Sequence, residues 1–228
     1  MDLEIIWASG SPYSWSVLLA LEVKELKYKS TLIELLKGEG RTPEFLQLNP
    51  RGKVPVLRDG DSYIHESKAI ISYLDRKYPE IPLFGDSPEN NAVIMRLISE
   101  YNSYIAPHIG QIISSAFWRN SPNLAKFEDT KQSLFYELTN LEKILTETNW
   151  LTGKEISAVD IFIFPFIQLL KRSEAKLKKT TADYKLVFED KRLSSISDWM
   201  KRFESLPGYE KTYPPHWEED KEINHYIS

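Results

Sequence analysis

Short polar clusters at the joins between predicted elements carry the side chains with chemistry to offer. Ser11-Pro12-Tyr13-Ser14 stands between an apolar, strand-like run, Leu3–Trp7, and a helical stretch that begins near Trp15. A serine followed by proline at the first helical position is an ordinary N-cap. The same place is where free amides and the helix dipole hold an anion, and where a hydroxyl donates to one without taking its proton. Gly52-Lys53-Val54-Pro55 leads into another strand-like run. Proline there cannot donate to a sheet ladder, so it marks either an edge or a cis bond that leaves the Val54 backbone to a ligand. His65-Glu66-Ser67 closes a strand and opens a helix. It reads as a cap, or as a carboxylate and a hydroxyl that receive the ammonium and carboxylate of a small zwitterion. Tyr104, His108 and Ile112 fall at i, i+4 and i+8, on one helix face that either lines a site or packs in a core. Neither GxGxxG nor GxxxxGKS occurs.

The scaffold for these clusters changes character near residue 85. Before it, the pattern gives strand Leu3–Trp7, a helix around 15–21, strand 28–33, a brief helix from Pro43 stopped by Asn49-Pro50, strand 54–57, a hairpin at Asp59-Gly60, strand Ser62–His65, and a helix over 66–78. Residues 79–90 are rich in proline and read as a linker. Beyond it only helices are expected: 92–118, bent near Pro107 and Gly110, then 123–148, 157–172 and 193–206, followed by a tail over 213–228. Ser157-Ala158-Val159-Asp160 fits a capping box, with Ile156 and Ile161 placed as its hydrophobic staple. The run 161–167 is apolar all round, which predicts a helix buried at the centre of its domain.

Composition narrows the function. The 228 residues carry 29 Lys plus Arg against 33 Asp plus Glu, a formal charge of −4, which argues against a nucleic-acid partner. Cysteine is absent, so disulfides, thiolate metal sites and a cysteine nucleophile are excluded. The 4 histidines lack metal-ligand spacing, and no metal site is expected. The run 161–167 is far short of the ~20 residues that span a bilayer, and MDLEIIW lacks the basic-then-apolar pattern of a secretory signal. A cytoplasmic protein without membrane contact is the expectation.

The order of these features resembles the glutathione S-transferase superfamily, serine type and similar to its tau and zeta classes. The resemblance runs over about residues 3–210 and rests on Ser11-Pro12-Tyr13, on 45–57 with its Asn49-Pro50-Arg51-Gly52-Lys53-Val54-Pro55, on Glu66-Ser67, and on Ser157-Ala158-Val159-Asp160. It implies an α/β plus all-α architecture: a thioredoxin-like N-terminal domain over 1–80 and a helical substrate-binding domain over 91–228. It implies a transferase that activates the glutathione thiol for conjugation to a small hydrophobic electrophile, with glutathione as co-substrate and no separate cofactor. Ser11 matches the catalytic serine, with Ser14 the second hydroxyl to consider. A cis Val54–Pro55 bond lets the Val54 backbone pair with the cysteinyl part of the peptide. Glu66 and Ser67 hold the γ-glutamyl end, and Lys53 and Arg41 face the glycyl carboxylate. Tyr13, Tyr104, His108, Ile112, Phe117 and Trp118 are the candidates for the electrophile, which the resemblance places between the domains. It also implies a homodimer, with 45–49 and the helix from Ala92 as contact regions. The alternatives are a non-catalytic binding or regulatory relative and a zeta-like glutathione-dependent isomerase.

Overall fold

The computed structural model describes residues 3–117, 124–180, 184–185 and 187–218. The chain divides into two compact units, the first formed by Met1–Phe84 with Leu206–Glu219 and the second centred on Gly85–Ser205. The sequence pattern puts 206–218 with the helical region. These residues pack on the first unit instead, because their aromatic side chains close on Trp15.

The first unit is built on β1 (Leu3–Trp7), α1 (Pro12–Val23), β2 (Lys29–Leu32), α2 (Pro43–Leu48), β3 (Val56–Asp59), β4 (Ser62–His65) and α3 (Ser67–Lys77). Among the described residues the sheet runs β2-β1-β3-β4. β2 lies parallel to β1, as a connection through a helix allows, while β3 and β4 run antiparallel. The β3–β4 hairpin closes through Gly60 at φ 59, a conformation that favours glycine. Ile5, Val56 and Leu57 are fully buried in the sheet, Val56 packing with Ile6 against Phe45 of α2, and residues 14–21 of α1 are all buried as well. Lys24, itself buried, donates to the carbonyl of Ile81 at 2.6 Å, and Asp75 accepts from the Leu83 amide at 2.6 Å. The first residues beyond α3 are thereby tied to the unit that precedes them.

The second unit is helical: α4 (Pro88–Glu100), a π turn over Tyr101–Ile105, α5 (Ala106–Phe117), α6 (Leu124–Glu147), α7 (Ala158–Thr180) and α8 (Ser194–Glu204). α7 is its centre. Ile161, Ile163, Phe164 and Ile167 are wholly buried, and Phe164 stacks on Phe203 at 4.1 Å with Trp199 edge-on to both. Each such side chain contributes ~1.5–3 kcal/mol by leaving water.

The capping box is present in altered form. Asp160 accepts from the Ser157 amide at 3.0 Å, as expected, but the Ser157 hydroxyl donates to the same carboxylate at 2.8 Å. The Leu151 amide and the Trp199 indole complete a set of donors around it. Burial pushes the Asp160 carboxyl upward while these donors oppose the shift. α7 also runs on past residue 172, where the sequence turns polar. Ser173 donates to the Leu169 carbonyl, and Glu174 accepts from the Tyr184 hydroxyl and the Val187 amide, so these polar groups are satisfied inside the unit.

Candidate active site

Strand register brings the predicted residues of the first unit to one end of its sheet. Ile6 pairs with Val56, and Val56 pairs with His65. The chain therefore leaves β1, enters β3 and leaves β4 at the same edge. Ser11 at the start of α1, Val54-Pro55 before β3, and Glu66-Ser67 at the start of α3 all stand there. The Val54–Pro55 bond is cis.

Ser11 is the N-cap of α1, with Pro12 as the first helical residue. Its Oγ accepts from the Ser14 amide at 3.3 Å. An accepting hydroxyl keeps its own hydrogen to donate outward. Ahead of it, the Ser11 amide donates to the Ala8 carbonyl at 3.2 Å and closes a turn in which Gly10 has φ 77. That is the positive φ required at the third position of a type II turn. Tyr13 is 54% exposed, whereas Ser14 is wholly buried and its Oγ has no hydrogen-bond partner among the described residues. Burial takes Ser14 away from any ligand reaching the helix start.

The approach to β3 is ordered by Asn49, which in the sequence marks a helix stop and opens the Asn49-Pro50-Arg51-Gly52-Lys53 motif. Asn49 is 2% exposed. Its side-chain amide donates to the Lys53 carbonyl at 2.7 Å, and its side-chain carbonyl accepts from the Arg51 amide at 3.1 Å. Gly52 (φ 63) lies so close to Gly40 that a Cβ on it would stand 2.5 Å from the Gly40 carbonyl oxygen. This close approach sets the Arg41 loop against Gly52-Lys53, with Lys53 and Arg41 both exposed. The Val54 side chain packs inward against a cluster of Ile6, Phe45 and Val56. Phe45 and Asn49 are thus buried within their own unit.

Glu66 is the N-cap position of α3, but its side chain makes no capping bond. It is exposed and sits at φ 73, ψ 115, a conformation unusual for any residue but glycine. Ser67 follows as a buried first-turn residue. The pair therefore presents a carboxylate beside a hydroxyl at a helix N-terminus, where backbone amides favour an anion.

The stripe predicted in the second unit does not hold together. Tyr104 is 57% exposed, His108 is half-buried, and Ile112 is fully buried. Four residues advance 400° in an α-helix, so such a stripe drifts, and the π turn over Tyr101–Ile105 disturbs its phase further. Ile112 is a core residue and leaves the list of electrophile contacts. Tyr104 lines a cleft of about 450 Å³ between α4 and α6, together with Tyr101, Tyr136 and Asn140. Phe117 lies beneath the Lys176 ammonium, 4.3 Å from the ring centre. Trp118 is outside the described residues.

Residues 10–77 match the family described as glutathione S-transferase, N-terminal domain, and residues 111–210 match glutathione S-transferase, C-terminal domain. Glutathione S-transferase 1 of Dianthus caryophyllus is 35% identical over 161 residues, 70% of this chain and 73% of that protein. Glutathione S-transferase Z1 of Arabidopsis thaliana is 36% identical over 169 residues, 73% of this chain and 76% of that one. The crystal structure of a glutathione S-transferase from the Antarctic clam Laternula elliptica is 30% identical with a TM-score of 0.82, over 100% of this chain and 99% of that one. The chain belongs to the glutathione S-transferase family and is an enzyme of that reaction class. Its first unit is the thioredoxin-like domain and its second the helical domain of that fold.

Proposed function

We propose that this enzyme binds glutathione at the shared end of its sheet and conjugates the thiol to a small hydrophobic electrophile. The observation that carries the reading is the register that sets Ser11, Val54 and Glu66-Ser67 at one edge. Glu66 and Ser67 hold the ammonium and carboxylate of the γ-glutamyl end. The Val54 backbone pairs with the cysteinyl portion, and Lys53 and Arg41 attract the glycyl carboxylate. Tyr13, exposed beside Ser11 at the start of α1, is the contact proposed for the electrophile.

Ser11 supplies the chemistry. A thiol has an ordinary pKa of ~8.5, so only a few per cent is ionised at neutral pH. The Ser11 hydroxyl donates to the sulfur, and the α1 dipole favours its negative charge. Each unit by which the thiol pKa falls needs ~1.4 kcal/mol of preferential stabilisation. The thiol proton passes to solvent, and the thiolate sulfur bonds to the electrophilic carbon as a leaving group departs with its electron pair or a double bond takes up that pair. Ser11→Ala lowers kcat roughly ten- to a thousand-fold, the range for loss of one transition-state donor, with glutathione affinity nearly unchanged. Steady-state kinetics and calorimetry check this, and a variant that binds poorly but turns over normally at saturation refutes the role.

A second reading is a zeta-like glutathione-dependent isomerase, supported by likeness to the Euphorbia esula protein named glutathione S-transferase zeta class. Consumption of glutathione in proportion to product separates conjugation from isomerisation. We further propose that the protein is a cytoplasmic homodimer. The subunit is 26.5 kDa, and sedimentation at micromolar concentration is expected to give a species of twice that mass.

A further inference from the structure

The segment that returns to the first unit after α8 ends on the turn that carries Ser11. Its short helices α9 (Tyr209–Thr212) and α10 (Pro215–Glu218) are anchored on α1. The Trp15 indole donates to Thr212 Oγ1 at 2.9 Å, and the rings of Tyr213 and Trp217 stand edge-on to Trp15 at 5.8 and 5.5 Å. Trp217 is 4% exposed. This anchoring delivers His216 to the loop between β1 and α1. His216 Nδ1 shares a hydrogen bond with Ser9 Oγ. The same ring covers Gly10 so closely that a Cβ there would stand 2.7 Å from Cε1 and 3.3 Å from Nε2.

Ser9 and Gly10 are the two central residues of the turn closed by the Ser11 amide. One is held by the imidazole and the other is roofed by it. We propose that His216 is a positioning residue for the transferase reaction: by clamping the Ala8–Ser11 turn from outside, it fixes where Ser11 presents its hydroxyl to the sulfur. The inference rests on the assignment of Ser11 to the thiol. It makes the tail part of the thiol-activating machinery, although no residue of the tail need touch glutathione. A hydroxyl displaced by less than an ångström at a donor position loses most of its effect on a developing charge, because the strength of a hydrogen bond falls steeply with distance and angle.

Four variants test this: Ser9→Ala, His216→Phe, the double variant, and His216→Asn. Phenylalanine keeps the ring over Gly10 and removes the nitrogen, whereas asparagine restores a polar atom near the position of Nδ1. The readouts are the apparent pKa of enzyme-bound glutathione from thiolate absorbance, kcat with a chloronitrobenzene electrophile, glutathione Kd by calorimetry, and circular dichroism to confirm folding. Ser9→Ala and His216→Phe are each expected to raise the bound-thiol pKa and lower kcat several-fold, with Kd within twofold of the wild type. The double variant should be no worse than either single one, since both remove the same bond. His216→Asn should recover most of the loss. A wild-type thiol pKa and kcat in His216→Phe, or effects that add in the double variant, overturn the proposal. Ser11→Ala is measured alongside. If Ser11→Ala is impaired while His216→Phe is not, the clamp alone is refuted; if Ser11→Ala behaves as wild type, the Ser11 assignment falls and the clamp with it.

Discussion

Replacing Glu66 by glycine should stabilise the protein and weaken glutathione binding together. Glu66 adopts φ 73, ψ 115 with no capping bond to compensate. A non-glycine residue held in such a region costs about 1–3 kcal/mol. Glycine removes that cost and returns ~0.5–1 kcal/mol through the greater entropy of its unfolded chain. The net expectation is a gain of roughly 1 kcal/mol, or ~2–4 °C in Tm for a chain of this size. The same change deletes the carboxylate proposed to hold the γ-glutamyl ammonium. A hydrogen bond to a charged group is worth ~1.5–3 kcal/mol, so Kd should rise roughly 10- to 150-fold. Glu66→Ala separates the two effects. It keeps Cβ, and with it the strain, but lacks the carboxylate, so it should bind as weakly as the glycine variant while melting within ~0.5 kcal/mol of the wild type. Differential scanning calorimetry without ligand and isothermal titration with glutathione give both numbers. A glycine variant that melts lower than the wild type, or binds glutathione as tightly, would refute the argument that the backbone is strained here to place a binding group.

The remaining predictions concern the helical unit. Asp160→Ala leaves the donors from Leu151, Ser157 and Trp199 without an acceptor; at ~1–3 kcal/mol for each buried unsatisfied group, the loss should reach several kcal/mol. Asp160→Asn turns a donor toward Ser157 but still accepts from Leu151 and Trp199, so thermal melting should rank it between Ala and wild type. Glu174 is buried beside Tyr184, and burial raises its carboxyl from 4.5 to about 7. The folded state therefore holds a proton that the unfolded state releases, and its stabilising effect is complete below pH 4.5 and lost as pH rises through about 7. Glu174→Gln imitates the protonated group, so the unfolding free energy measured between pH 4.5 and 8 should fall less for the variant than for the wild type, by an amount on the order of 3 kcal/mol. Parallel curves for the two proteins would show that Glu174 does not titrate in this window.

Local chemistry made one part of the site legible and left its support unseen. Ser11-Pro12 and the Asp160 box announce themselves because a cap is written within four residues of chain. The sequence placed Glu66-Ser67 at a helix start but gave no sign of the positive φ, since glutamate is not a residue that advertises it. Asn49 read as a stop because its bonds to Arg51 and Lys53 depend on a loop conformation rather than on a repeat. Spacing misled in a revealing way. Tyr104, His108 and Ile112 have helical spacing and diverge, because a four-residue repeat drifts around an α-helix and the π turn over Tyr101–Ile105 disturbs its phase further. Tyr209, Tyr213 and Trp217 have the same spacing and converge on Trp15, although Tyr213 lies in extended backbone between two short helices. What gathers them is the buried indole they meet, not a continuous helix. Periodicity therefore reports a shared face only where one hydrogen-bond register persists, and aromatic density near a chain's end can signal docking where periodicity cannot. The separation of 207 residues between Ser9 and His216 shows the consequence for function. The groups proposed to meet glutathione sit at element joins and can be found one motif at a time. The side chain that holds their turn is reached only through the packing of a distant segment, so the site's chemistry is local in sequence while its positioning belongs to the fold.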